Sequence, residues 1–250
     1  MDFNLSNSRA SDPSIMVIFG GTGDLTHRKL IPALYNIAFD QLMPEHFAIV
    51  SVGRRAKTTE EYREELYDSL NKYSRNKLDE SQWARLREII HYYQLDFTET
   101  AGYDQLASFL GDLDEQYLTR GNRIFYLAVA PEYFETIVSG LGASGQSACH
   151  RSSDGQCSNW QRLVIEKPFG KDLKTAKHLN DALHSVFDES AIYRIDHYLG
   201  KDMIQNIMVL RFCNVVFESL WSNQSIDTLQ ISLSEKLGVG TRGGYYGHSC

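Results

Sequence analysis

Short apolar runs ending at glycine alternate with helical stripes of apolar residues along most of the chain. Ile15–Phe19 reads as a buried strand, broken by Gly20-Gly21-Thr22-Gly23. Asp24 is placed to cap the next element, a helix with Leu25, Leu30, Leu34 and Ile37 on one stripe, bent or restarted at Pro32. Phe47–Val52 is a second strand, stopped by Gly53-Arg54-Arg55. A helix between two apolar strands is a βαβ unit and predicts a parallel sheet.

Two longer helical patterns follow, Thr59–Tyr73 and Glu80–Ile90. Tyr62, Leu66, Leu70 and Tyr73 share one face of the first and read as core. Ile124–Val129 is a strand closed by Ala130-Pro131, and Gly140–Asn159 reads as a surface loop rich in Gly and Ser. Arg162–Ile165 is a further strand, ending at Glu166-Lys167-Pro168-Phe169-Gly170. Lys171–Phe187 reads as a helix and Asp202–Trp221 as one long apolar helix. Ile226–Ser234 alternates like a half-buried strand, and a glycine-rich tail, Gly238–Gly247, follows it. There is no internal repeat.

Composition narrows the picture. The 250 residues carry 25 Lys+Arg against 32 Asp+Glu, a net charge of -7, which argues against a nucleic-acid partner because phosphate affinity needs clustered basic residues. No apolar stretch approaches the roughly 20 residues of a membrane span. Met1–Pro13 is polar and reads as a disordered leader with no secretory h-region. Cys149, Cys157, Cys213 and Cys250 have no metal-ligand spacing, so a reducing, cytoplasmic setting is expected and no metal. Cys149 and Cys157 read as inert loop thiols more readily than as a redox pair.

Three segments carry candidate chemistry. Gly20-Gly21-Thr22-Gly23-Asp24-Leu25 lies between a strand and a helix, where small residues let backbone approach a pyrophosphate and free amides face the anion. Against G-x-G-x-x-G its last position is Thr26 instead of Gly or Ala. At the end of the second strand, where NAD binding calls for Asp or Glu, stand Arg54 and Arg55. A guanidinium suits the 2′-phosphate of NADP, with one arginine of the two left solvated. Lys167, before a proline, is held extended at a strand's C-terminal edge, where it meets both a coenzyme and a substrate hydroxyl or is an ordinary surface lysine.

The densest segment is Arg194-Ile195-Asp196-His197-Tyr198-Leu199-Gly200-Lys201. His197 and Lys201 are four apart, so on a helical turn they share a face and suit one dianion. Read from chemistry alone, Asp196 and His197 form instead an orienter and a general base, although adjacent residues do not face each other on a helix.

Together Gly20–Leu25, Phe125–Pro131, Glu166–Gly170 and Arg194–Lys201 resemble the NADP-dependent glucose-6-phosphate dehydrogenase family, from about Ile15 to Tyr246. The resemblance implies a Rossmann-like, doubly wound α/β coenzyme domain at 14–193, then the beginning of an α+β substrate and dimerisation domain at 194–250. It implies oxidation of the C1 hydroxyl of glucose 6-phosphate, hydride passing to NADP and the 6-phosphogluconolactone leaving, the entry step of the oxidative pentose phosphate pathway. In this resemblance Gly20, Gly21, Thr22, Gly23, Asp24 and Leu25 hold the pyrophosphate and Arg54 the 2′-phosphate. Asp96 and Phe97 meet the adenine half, and Lys167 serves coenzyme and sugar. His197 and Lys201 bind the sugar phosphate with Tyr198 beside them, which overrules a base role for His197. Asp196 orients the catalytic histidine, and Glu235 binds a sugar hydroxyl.

The sequence departs from the family after Tyr246. There Arg242-Gly243-Gly244-Tyr245-Tyr246 leads into a helix carrying the base histidine. Here Gly247-His248-Ser249-Cys250 follows, and His248 comes too early to take that role. Ala130 stands where the family often has proline. Family members are about twice as long and homo-oligomerise, so the expectation is a shortened chain that does not oligomerise normally. It leaves Met203, Ile204, Ile207, Met208, Leu210 and Phe212 without the sheet they would pack on. A coenzyme-binding module that catalyses nothing is the rival expectation.

Overall fold

The computed structural model describes residues 12–147 and 158–232. Most of the Met1–Pro13 leader, the loop carrying Cys149 and Cys157, Glu235, His248 and the glycine-rich tail lie outside the described residues. The chain divides into two compact units, 1–194 and 195–250.

The first unit is built on six strands: β1 (Ser14–Phe19), β2 (Phe47–Gly53), β3 (Ile90–Gln94), β4 (Arg123–Leu127), β5 (Gln161–Glu166) and β6 (Ile192–Ile195, whose last residue begins the second unit). They run in the order β3-β2-β1-β4-β5-β6. All four pairings among β1 to β5 are parallel, with Phe19 opposite Val52 on one side and Leu127 on the other. The order reverses between β1 and β4, and ligands of such sheets bind in the crevice this reversal opens at the strands' carboxyl ends.

Helices cover both faces. A π-helical turn (Thr26–Leu30), α1 (Ile31–Phe39), α2 (Thr59–Tyr73) and α3 (Glu80–Glu88) pack on one side. On the other side are α4 (Thr100–Tyr117), α5 (Phe134–Ala143) and α6 (Leu173–His184). Along β1 the alternation decides the layer: Ile15, Val17 and Phe19 enter the core with α4, α5 and α6, while Ile18 enters the other. Burial on both faces is why these strands read as continuous apolar runs. Thr58 and Glu61 close a reciprocal capping box on α2, with Glu61 N donating to Thr58 Oγ1 at 3.2 Å and Thr58 N to Glu61 Oε2 at 2.8 Å.

Several sequence expectations change here. Asp24 does not cap the first helix; its carboxylate pairs with Arg28 at 2.6 Å. The helix expected to reach Ile90 stops at Glu88, because Ile90 pairs with Ile49 and opens β3. The expected Gly140–Asn159 loop begins inside α5, where Gly140 packs so closely on the Tyr103 ring that a Cβ would sit 2.5 Å from it.

In the second unit the expected long helix is two, α7 (Asp202–Phe212) and α8 (Val215–Leu220), the second restarted by Asn214, whose Oδ1 accepts from Val216 N at 3.2 Å. The described part of the expected strand Ile226–Ser234 is not a strand, since no described neighbour offers it a ladder. No helix among the described residues is long and apolar enough to cross a membrane.

Candidate functional site

The glycine turn leaves β1 directly into the crevice. Gly20 has φ +89°, a conformation that strains any other residue, and a Cβ there would stand 2.2 Å from the Ala128 carbonyl oxygen. A Cβ on Gly21 would stand 2.6 Å from that of Ser51, so the turn lies flat on β2. Gly20 N and Gly21 N both donate to Val52 O at 2.9 Å, and Gly23 N donates to Gly20 O at 2.9 Å. These three amides bond within the fold itself, where the sequence expectation was of free amides facing an anion. The amides of Asp24 and Leu25 open the helix, and the carbonyls four residues back, Gly20 O and Gly21 O, accept from Gly23 N, Thr26 Oγ1 and Tyr62 Oη, so these amides at a helix start suit an anion.

Thr26 explains the missing third glycine. It is buried and its Oγ1 donates to Gly20 O at 2.9 Å, tying the first helical turn to the loop. From α2, Tyr62 Oη donates to Gly21 O at 2.8 Å. Thr26 broke the sequence pattern and Tyr62 sat on a core stripe, so neither stood out as part of this turn.

Next along the rim, Arg54 is exposed after β2, its guanidinium 5.8 Å from the centroid of the Tyr133 ring. Tyr133, in the 3-10 turn Pro131–Tyr133 after β4, went unnoticed in the sequence; an aromatic residue just past a strand's C-terminal edge was its only signal. Asp96 follows β3. Its Oδ1 accepts from Thr98 N at 3.0 Å and Thr98 Oγ1 at 2.8 Å, and these bonds, with Arg54 nearby, hold its carboxyl below the usual range. The Phe97 ring is buried against Phe19 and Tyr133, so only its backbone reaches the rim. Lys167 is exposed directly after β5. Beside it Tyr126 Oη donates to Glu166 Oε1 at 2.5 Å, and burial together with that carboxylate pushes the Tyr126 phenol well up.

The second unit holds Asp196, His197, Tyr198 and Lys201. The expected helical turn is a non-helical one: Leu199 N donates to Asp196 O at 3.0 Å and Lys201 N to Tyr198 O at 3.1 Å. Asp196 Oδ1 accepts from Tyr198 N at 3.1 Å, which closes an Asx-type loop. The His197 and Tyr198 ring centroids are 4.5 Å apart, and Lys201 Nζ lies 4.2 Å from the Tyr198 centroid. The His197 imidazole and the Lys201 ammonium thus gather around one phenol ring instead of sharing a helix face. Arrangement about a common ring leaves both outside the core, exposed to solvent.

Strand order, a bare glycine turn after β1 and a basic residue after β2 define a Rossmann-type dinucleotide-binding protein. Comparison with known proteins specifies it further. The family model for the glucose-6-phosphate dehydrogenase NAD binding domain matches residues 17–206, and that for the C-terminal domain of the same enzyme matches 208–250. The chain belongs to the glucose-6-phosphate dehydrogenase family. It is 45% identical over 238 residues to glucose-6-phosphate 1-dehydrogenase of Chlamydia muridarum, covering 95% of this chain and 46% of that protein. It is 43% identical over 246 residues to the Treponema pallidum enzyme, covering 98% and 46%. A glucose-6-phosphate dehydrogenase solved with its substrate superposes with a TM-score of 0.80 at 28% identity, covering 94% of this chain and 47% of that one. The Mycobacterium avium enzyme gives 0.75 at 29%, covering 95% and 48%. The chain spans about half the length of the curated relatives it matches.

Proposed function

We propose that this chain forms the coenzyme half, and the phosphate-holding start of the substrate half, of an enzyme that oxidises glucose 6-phosphate to the 6-phosphogluconolactone in the oxidative pentose phosphate pathway, with NADP as coenzyme. The observation that carries the reading is the single rim along which the glycine turn, Arg54, Asp96 and Lys167 follow β1, β2, β3 and β5. When bound, NADP supplies the hydride acceptor. Asp24 and Leu25 amides take the pyrophosphate, over a turn that Gly20 and Gly21 keep free of side chains. Arg54, where NAD would need a carboxylate, takes the 2′-phosphate, and Asp96 the adenine side. Lys167 serves coenzyme and sugar together.

His197 and Lys201 hold the sugar phosphate around Tyr198, Glu235 holds a sugar hydroxyl, and Asp196 orients a base histidine. Among these 250 residues none matches that base, so oxidation by this chain alone would forgo the roughly 10²–10⁴-fold that a general base contributes. The test is a titration of the chain with NADP and with glucose 6-phosphate, beside reduced-coenzyme formation followed at 340 nm. Binding of both with slow or no turnover supports the assignment. Failure to bind NADP would sink it.

A further inference from the structure

Away from the rim, Asn180, His184, Glu189 and Arg194 close a ring of hydrogen bonds. Arg194 Nη2 donates to Asn180 Oδ1 at 2.7 Å. The same guanidinium donates twice to Glu189, Nη1 to Oε1 at 2.8 Å and Nη2 to Oε2 at 3.1 Å. His184 Nε2 lies 2.7 Å from Glu189 Oε2, and His184 Nδ1 lies 3.1 Å from Asn180 Nδ2.

These contacts fix the protons. Arg194 has donors only, so the Asn180 atom facing it is the oxygen and the atom facing His184 is the amide nitrogen, itself a donor. His184 Nδ1 must therefore accept, and the neutral imidazole carries its proton on Nε2, aimed at the Glu189 carboxylate. Each bond in the ring requires the next. The ring joins α6, the 3-10 turn Glu189–Ala191 and β6.

The Arg194 side chain is 27% exposed and that of Glu189 64%, so as an ion pair the arrangement adds little stability. What it restrains is geometry. Arg194 lies two residues before Asp196, where the chain turns into the segment that carries His197 and Lys201.

The geometry points to Arg194 as a positioning residue: the ring fixes the end of β6 and, through the backbone, the start of the Asp196–Lys201 turn that holds the sugar phosphate. This rests on the function proposed above. Arg194 itself needs no contact with sugar or coenzyme. His184→Gln keeps one acceptor and one donor and so preserves the ring, whereas His184→Leu and Arg194→Gln open it.

The experiment combines three readings on the 250-residue chain. Nitrogen-15 shifts of neutral His184 should report the Nε2–H tautomer; the Nδ1–H tautomer would overturn the ring. Arg194→Gln and His184→Leu should each weaken glucose 6-phosphate binding by about five- to tenfold, with NADP affinity kept within about twofold. Both should also speed hydrogen exchange at the Leu199 and Lys201 amides, and His184→Gln should restore wild-type behaviour in both measurements. Equal losses for the two ligands, unchanged exchange, or no rescue by glutamine would overturn the positioning role. A wild-type chain that binds no glucose 6-phosphate would instead overturn the proposed function. The exchange reading needs no sugar and still decides for or against the ring.

Discussion

The two units spend similar apolar sequence in opposite ways. In the first, every residue of β2 from Phe47 to Gly53 is buried, held between β1 and β3 and under a helical layer on each face. In the second, no described residue is buried, although α7 carries Met203, Ile204, Ile207, Met208, Val209, Leu210 and Phe212 in eleven positions. Met203 is 60% exposed and Val215 of α8 83%. Hydrogen bonds one turn back give α7 its helical form, marginal in so short a helix on its own, but burial needs a partner brought from far along the sequence. The apolar stripe runs round the whole of α7 and so names no single face.

Glycine offers the sharpest way to break this comparison. Gly20→Ala puts a Cβ against the Ala128 carbonyl in a backbone conformation that already disfavours it. The expected cost is about 3–5 kcal/mol, strain and overpacking together, with loss of NADP binding. In the second unit a Cβ on Gly200 would meet only His197 O at 3.6 Å, an ordinary contact. Gly200→Ala should stay within about 0.5 kcal/mol. Urea unfolding of the two variants checks the pair, and equal costs would refute the contrast.

Arg54→Ala separates ligand energy from fold energy inside the first unit. The side chain is exposed, so stability should change little. Loss of a charge-assisted pair of about 1.5–3 kcal/mol should weaken NADP by about 10- to 100-fold. NAD affinity should barely move. Equal losses for the two coenzymes, measured by titration, would remove Arg54 from the 2′-phosphate.

How much of this was legible beforehand follows the same division. β1, β2 and β5 were readable because buried parallel strands are continuous apolar runs ended by glycine or proline. β3 was not, since Ile90-His91-Tyr92-Tyr93 follows a helix with one residue between and merges into its pattern. α4 was passed over although Tyr103, Leu106, Leu110 and Leu113 keep helical spacing, because Gly102 and Gly111 interrupt the stripe. Gly102 is there for the same reason as Gly140: a Cβ would meet Leu95 at 2.3 Å. The glycine turn, Arg54 and Lys167 could be placed on one rim from strand ends alone. The engaged amides of Gly20, Gly21 and Gly23, the Thr26 bond and Tyr133 could not, because each depends on a partner more than five residues away or on turn geometry. The Asp196–Lys201 segment was legible as chemistry but not as shape.

A pH titration sharpens the contrast by addressing half-buried histidine, found in the first unit. His91 Nε2 lies 2.9 Å from Tyr117 Oη, which spends its own proton on Glu88 O, so the imidazole donates. Burial, then Arg63, pulls its pKa from 6.5 down to about 4. Between those values the unfolded chain binds the proton and the folded chain does not. Stability from this group is therefore full above about pH 6.5 and lost as pH falls toward 4. His27, lowered chiefly by burial, acts in the same direction. His91→Gln keeps a donor for Tyr117 without the titration. It should flatten this acid limb by roughly 1–2 kcal/mol, after allowance for solvent screening at a partly exposed ring. Urea midpoints at pH 7 and 4.5 decide it, and an unchanged slope would count against the buried neutral form.

The smallest effect is expected on α7, and its smallness is the point. Met203 and Val209 are 60% and 58% exposed, so replacing each by lysine removes no core contact and changes helix propensity by only tenths of a kcal/mol. Both substitutions together should leave the urea midpoint within about 0.5 kcal/mol of wild type. They also break an apolar surface of the kind that drives association, so light scattering from the purified chain should fall. If the double variant instead lost more than about 1 kcal/mol, the helix would be covered in solution. The difference between the units would then lie in which residues do the covering, not in whether apolar sequence is buried.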